Sequence, residues 1–156
     1  MENKVIPVKY TVINNTELTG EEKIAYKEAL KAISSSFAPH SGFRVGAAAI
    51  LSDGTIINGS NQESDVYPSG MCAERVLLFN KFSNFPDKDI RIIAVTAENE
   101  DGPIKNEVFP CGMCTQTLVD AEKRQEKPFR ILMAGSEKSI IIDSAKRLMP
   151  FQFTLK

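Results

Sequence analysis

A chain of 156 residues is long enough to build a hydrophobic core as one domain without disulfide staples. Its 19 basic and 20 acidic side chains leave a net charge of −1 and are dispersed along the sequence, which argues against a polyanion-binding surface and so against nucleic acid as a partner. No apolar run approaches the roughly 18 residues of a membrane span, Met1 to Lys9 lacks the apolar centre of a signal peptide, and three cysteines cannot pair completely, so a reduced, cytoplasmic chain with no membrane partner is expected.

Residues 1–18 are the most separable part, and Val8, Tyr10 and Val12 alternate there as in an edge strand or arm packed on the domain or a neighbour. The domain proper is expected over 19–156. Thr19 and Glu22 read as a capping box. The helix that follows shows Tyr26, Leu30, Ile33 and Phe37 on one face and ends by Pro39. Phe43 to Leu51 is a strand of small residues, and Asp53-Gly54 turns it into a second strand from Thr55 to about Gly59. Asn61 to Gly70 is polar, contains Pro68 and reads as a loop. From Cys72 to Phe82 the apolar pattern suits a buried helix. Ile90 to Thr96 is nearly continuous in apolar residues, as in a central strand covered on both faces. A second buried helix starts near Cys111, with Leu118 and Val119 inside. Phe129–Ala134 and 140–142 are short strands, and Ser144 to Met149 a short helix stopped by Pro150. Strands alternating with helices predict an α/β domain of three layers around a mixed sheet.

The cysteines carry the chemistry. Cys72 stands in Cys72-Ala73-Glu74-Arg75, and the other two in Pro110-Cys111-Gly112-Met113-Cys114. Three thiolates with a carboxylate two residues from the first suit a catalytic zinc site, in which three protein ligands leave a position for water and Glu74 supplies a base beside it. Cys72 and Cys111 both fall at predicted helix starts, where unpaired N–H groups favour thiolates. Three thiolates on a divalent ion leave one excess negative charge, which Arg75 is placed to offset. Cys111 and Cys114 alone read equally as a redox pair, and any single cysteine is most often plain core. Neither reading accounts for Cys72 and Glu74. A closed structural site lacks a fourth ligand, since no fourth Cys exists and His40 is the only histidine.

Zinc deaminases combine a His- or Cys-containing first motif and its Glu with a later Pro-Cys-x-x-Cys, and on these residues the chain resembles the small homotetrameric zinc-dependent cytidine deaminases. The likeness runs from about Ala38 to Phe153. Ala38-Pro39-His40-Ser41-Gly42-Phe43-Arg44-Val45-Gly46-Ala47-Ala48 resembles the family's first signature, and Asn61-Gln62-Glu63 its ribose motif. The resemblance implies a three-layer α-β-α fold and one zinc per chain on Cys72, Cys111 and Cys114. It implies hydrolytic deamination of cytidine and 2′-deoxycytidine with Glu74 as proton carrier, and a small-molecule nucleoside as substrate. Phe43 would pack on the pyrimidine, Asn61 and Glu63 would bond ribose hydroxyls, and the Ala73 backbone would read the base. Phe153 would enter a neighbouring subunit's pocket in a homotetramer. His40 stands where Tyr is frequent, Ser64-Asp65 where Asn-Ala is usual, and Thr115 where Arg is common. Deamination of another cytosine-like nucleoside, a thiol redox protein using Cys111 and Cys114, and an inactive zinc-stabilised binding protein are the alternatives.

Overall fold

The computed structural model of the chain describes residues 1–155. Among these, a seven-stranded sheet forms from β1 (Thr11–Asn14), β2 (Arg44–Leu51), β3 (Ile56–Ser60), β4 (Ile90–Asn99), β5 (Gly102–Pro103), β6 (Arg130–Ala134) and β7 (Lys138–Ile142). Its order is β1-β7-β6-β4-β2-β3, with β5 paired to the end of β4. β4 and β6 run parallel and the other pairs antiparallel. A parallel pair needs a crossover, and helix α3 (Gly112–Gln125) supplies it.

Helix α1 (Gly20–Ala32) covers one face of the sheet, where Ala25 and Ala29 pack with Ala48, Ile50, Ile92, Ala94 and Leu132. Helices α2 (Ala73–Asn84) and α3 cover the other, where Leu77, Leu78, Leu118 and Val119 pack with Ala47, Ala49, Ile93 and Val95. The expected three-layer mixed α/β architecture is therefore present. β2 and β4 are apolar on both faces because both faces are covered.

Small residues set the layer spacing. A side chain at Gly46 would strike the Ala29 carbonyl of α1, and one at Gly59 would strike the Ala73 carbonyl and Leu77 of α2. The same close approach corrects the expected face of α1. Its buried stripe is Ala25, Ala29 and Ala32, followed by Ile33, while Leu30 and Phe37 are exposed. Thr19 is the N-cap, but its side chain makes no capping bond, and Glu22 pairs instead with Arg130 at 2.8 Å. β1 begins only at Thr11, so Val8 and Tyr10 lie exposed before it. The segment expected as a helix over Ser144 to Met149 shortens to one 3-10 turn, Ala145–Arg147. No helix among the described residues is long and apolar enough to cross a membrane.

Candidate metal centre and its loops

Cys72 is the N-cap of α2 and Cys111 the N-cap of α3. Both helices lie on the same face of the sheet and pack on each other, so their N-termini bring the two residues together. Cys114 sits in the first turn of α3, fully buried. The three sulfurs lie within 4.8 Å of one another, with Cys72 Sγ and Cys111 Sγ 3.9 Å apart. Zn–S bonds of about 2.3 Å in a tetrahedral site hold sulfurs roughly 3.8 Å apart, so this donor set fits a zinc ion. The Cys114 N–H points at Cys111 Sγ, 3.5 Å away, an amide turned towards thiolate charge. A two-cysteine redox site would have no use for a third sulfur, that of Cys72, 3.9 Å from Cys111 Sγ.

The thiols share their protons unevenly. Hydrogen bonding from the Cys114 thiol holds Cys72 down at about 5, against its burial, and the Arg75 guanidinium and Cys111 act in the same direction. Cys114 is pushed up correspondingly as the donor in that bond, with burial and the Glu74 charge adding to the effect. Glu74, in the first turn of α2, is only 5% exposed. Burial pushes its carboxyl up, and the Cys72 charge adds to this. Burial, the largest single effect, would lower Arg75, but the bonds and charges of Cys72 and Cys114 together outweigh it and raise the guanidinium. Its Nε is buried with no protein acceptor among the described residues. Thr115, where Arg is common, is buried and donates its hydroxyl back to Cys111 O at 3.0 Å. No guanidinium therefore comes from that position.

Phe43, Asn61 and Glu63 form a second cluster. The side chain of Asn61 is the hub of the loop before β2: its Oδ1 accepts from Ser36 Oγ at 2.5 Å and Val45 N at 2.7 Å, and its Nδ2 donates to Phe43 O at 2.9 Å. Glu63 Oε2 accepts from His40 N at 2.8 Å and Ser41 N at 3.2 Å, and Ser41 Oγ donates to Oε1. These bonds, Ser41 first, hold the Glu63 carboxyl below the usual carboxylate range. Gln62 then pairs with Met71 through two backbone bonds of 2.8 Å, N–H to O in each direction. Met71 precedes Cys72, so this bridge fastens the second cluster to the sulfur cluster. Phe43 is 37% exposed. Ala73 is buried as the first residue of α2, where amides have no intrahelical acceptor. Phe153 is 71% exposed and its carbonyl accepts from Gln116 Nε2 on α3 at 3.3 Å. Sequence reasoning missed Ser36, Ser41 and Gln116 as organisers. Ser41 stood inside the quoted signature, but a hydroxyl there carried no spacing that marked it.

The fold is shared with known proteins. The model for the cytidine and deoxycytidylate deaminase zinc-binding region matches residues 20–126. The chain belongs to this deaminase family. A cytidine deaminase of Halalkalibacterium halodurans is 33% identical over 134 residues, 86% of this chain and 95% of the relative. One of Sporosarcina psychrophila is 38% identical over 93 residues, 60% of this chain and 64% of the relative. A crystal structure of cytidine deaminase from Burkholderia pseudomallei superposes with a TM-score of 0.70 at 27% identity, covering 84% of this chain and 98% of that one. Both halves of the cysteine cluster, Cys72 and Cys111 with Cys114, lie inside the stretch that the zinc-binding family model covers.

Proposed function

We propose that the chain hydrolyses cytidine and 2′-deoxycytidine to uridine and 2′-deoxyuridine with release of ammonia. The observation that carries this is the three-sulfur cluster with the buried Glu74 carboxyl two residues from Cys72. Zinc held there supplies Lewis acidity and a water made nucleophilic near neutral pH. With zinc held by Cys72, Cys111 and Cys114, Glu74 would take one proton from the attacking water and pass it to ring N3 as the water oxygen bonds to C4; it would then move the second proton from the new C4 hydroxyl to the amino group, which leaves as ammonia when the C4–N bond breaks. A carboxyl raised by burial suits this double transfer, because it takes up a proton more readily than an exposed carboxylate does. Arg75 offsets thiolate charge and so keeps the Lewis acidity that a third thiolate would otherwise reduce.

The Ala73 amide, at the open end of α2, faces the base edge and Phe43 packs on the pyrimidine. Asn61 retains one amide hydrogen, and the Glu63 carboxylate retains acceptor capacity at Oε1, for the ribose hydroxyls. Both therefore act twice, as builders of the loop and as ligands. The exposed Phe109, Met113 and Phe153 support assembly, with Phe153 entering a neighbour's pocket in a homotetramer. Residues 1–18 act as an arm on the deaminase domain 19–156, and the enzyme works in the cytoplasm in pyrimidine salvage. An ultraviolet assay of the zinc-loaded protein across cytosine nucleosides tests the reading. Turnover of cytidine or deoxycytidine is expected. A protein that carries about one zinc per chain and turns over neither of these would sink it, and turnover of a modified cytosine nucleoside alone would reassign the substrate.

A further inference from the structure

Glu122 lies on α3 at 3% exposure, away from the sulfur cluster and outside the chemistry derived above. Its two oxygens are used separately: Ser144 Oγ donates to Oε1 and Ala145 N donates to Oε2, each at 2.6 Å. Ser144 and Ala145 open the turn from which the C-terminal segment departs. Leu148 and Met149 follow against the core, and from Phe151 onward the large apolar side chains are exposed. The next polar fastening to α3 is Gln116, whose side chain holds the Phe153 carbonyl. Gln116 and Glu122 are separated by about 9 Å of helix at ~1.5 Å per residue. The segment thus runs back along α3, clamped at Glu122 where it starts and touched at Gln116 near its end. The same helix carries Cys111 and Cys114 at its first turn.

We infer that Glu122 is a positioning residue for substrate binding, because its bonds to Ser144 and Ala145 fix the segment bearing Phe153 in register with the helix that carries two metal ligands. This rests on the reading of Phe153 as a pocket residue. Short bonds to an ionised acceptor are the strong kind, and a buried carboxylate cannot release one donor to water without cost. The Glu122→Gln amide keeps one acceptor and turns an N–H group towards one of the two donors, so the start of the segment loosens while the sulfurs stay in place.

The test is a double-mutant cycle on cytidine kinetics, combining Glu122→Gln with truncation after Pro150, with zinc content and thermal melting recorded for each protein. Glu122→Gln in the full chain is expected to raise KM about tenfold, the effect of one lost charge-assisted hydrogen bond, with kcat and zinc retained. Truncation alone is expected to raise KM, and adding Glu122→Gln to the truncated chain should raise it no further. Independent, multiplying effects would show that Glu122 supports something other than this segment and would overturn the inference. So would an unchanged KM in the full-length Glu122→Gln protein while truncation raises it. A wild-type KM after truncation would remove the reading of Phe153 first, and this inference with it. Should Glu122→Gln not fold, Ser144→Ala decides, since it removes one donor and leaves the carboxylate: a smaller rise in KM, absent in the truncated background, supports the inference, and a rise that persists after truncation overturns it.

Discussion

The proposed chemistry asks two things of the Glu74 side chain: to be near enough to Cys72 to serve the same centre, and dry enough to change protonation during the reaction. Replacing it with Gln keeps the shape and removes the proton transfer, so turnover should fall at least about 10²–10⁴-fold, the usual contribution of one positioned acid–base group. Zinc content and melting temperature should stay near wild type. A zinc-replete Glu74→Gln protein with near-normal kcat would remove Glu74 from the chemistry. The thiols differ in a way that can be read directly. Cys72, held at about 5, is a thiolate above that pH, whereas Cys114 is pushed up and stays protonated through neutrality. After zinc is chelated, iodoacetamide at neutral pH should therefore modify Cys72 ahead of Cys114, and restoring zinc should protect both. Equal labelling of the two, read by peptide mass, would contradict the sharing of one proton between them. The cluster of Cys72, Cys111 and Cys114 was legible in the sequence because ligand chemistry depends on residue type and spacing. The loop-building bonds of Asn61 and Glu63 were not legible. The bonds from Ser36, Ser41 and Val45 that occupy them come from positions up to 25 residues away in the chain, and no local pattern encodes such pairings.

Between elements, the seat of α2 on β3 decides where Cys72 and Glu74 stand. Gly59 lies under the first turn of α2, and a β-carbon there would meet the Ala73 carbonyl and Leu77 backbone rather than a side chain able to move. Gly→Ala in a strand would ordinarily gain stability by restricting the unfolded chain. At Gly59 the sign should reverse, with a loss of about 1–3 kcal/mol typical of overpacking and weakened zinc retention, because the displaced turn carries the ligand. Melting and chelator competition on Gly59→Ala check this, and a protein more stable than wild type with zinc equally tight would mean that α2 shifts freely on the sheet. The same geometry explains where the sequence misled at this scale. The strands were legible from their apolar runs and the Asp53-Gly54 turn. The face of α1 was not, because periodicity weights large side chains, and here close packing over Gly46 selected alanines for the buried stripe and left Leu30 and Phe37 outside. β5, of two residues, is too short to leave a pattern.

For the whole molecule, one chain carries a metal centre and an exposed aromatic tail, and the proposed homotetramer makes these parts of different protomers' sites. Complementation tests that division. One protein supplies the tail but no chemistry, the full-length Glu74→Gln chain. The other supplies chemistry but no tail, the chain ending at Pro150. Each alone should be poor, the first in kcat and the second in KM. When the two are unfolded together and reassembled with zinc, mixed oligomers place an intact tail beside a live centre, and activity with a near wild-type KM should appear. A Glu74→Gln chain that also ends at Pro150 should give no such rescue, which separates the tail's contribution from simple stabilisation of the oligomer. Light scattering confirms that the mixture assembles. Assembly without recovery of KM would show that Phe153 serves its own protomer's site or none, and a fully active monomer of the wild-type chain would show that one protomer completes the pocket. Aromatic anchors of this kind commonly carry much of an interface's energy, so the truncated protein should also dissociate at higher concentration than the full chain.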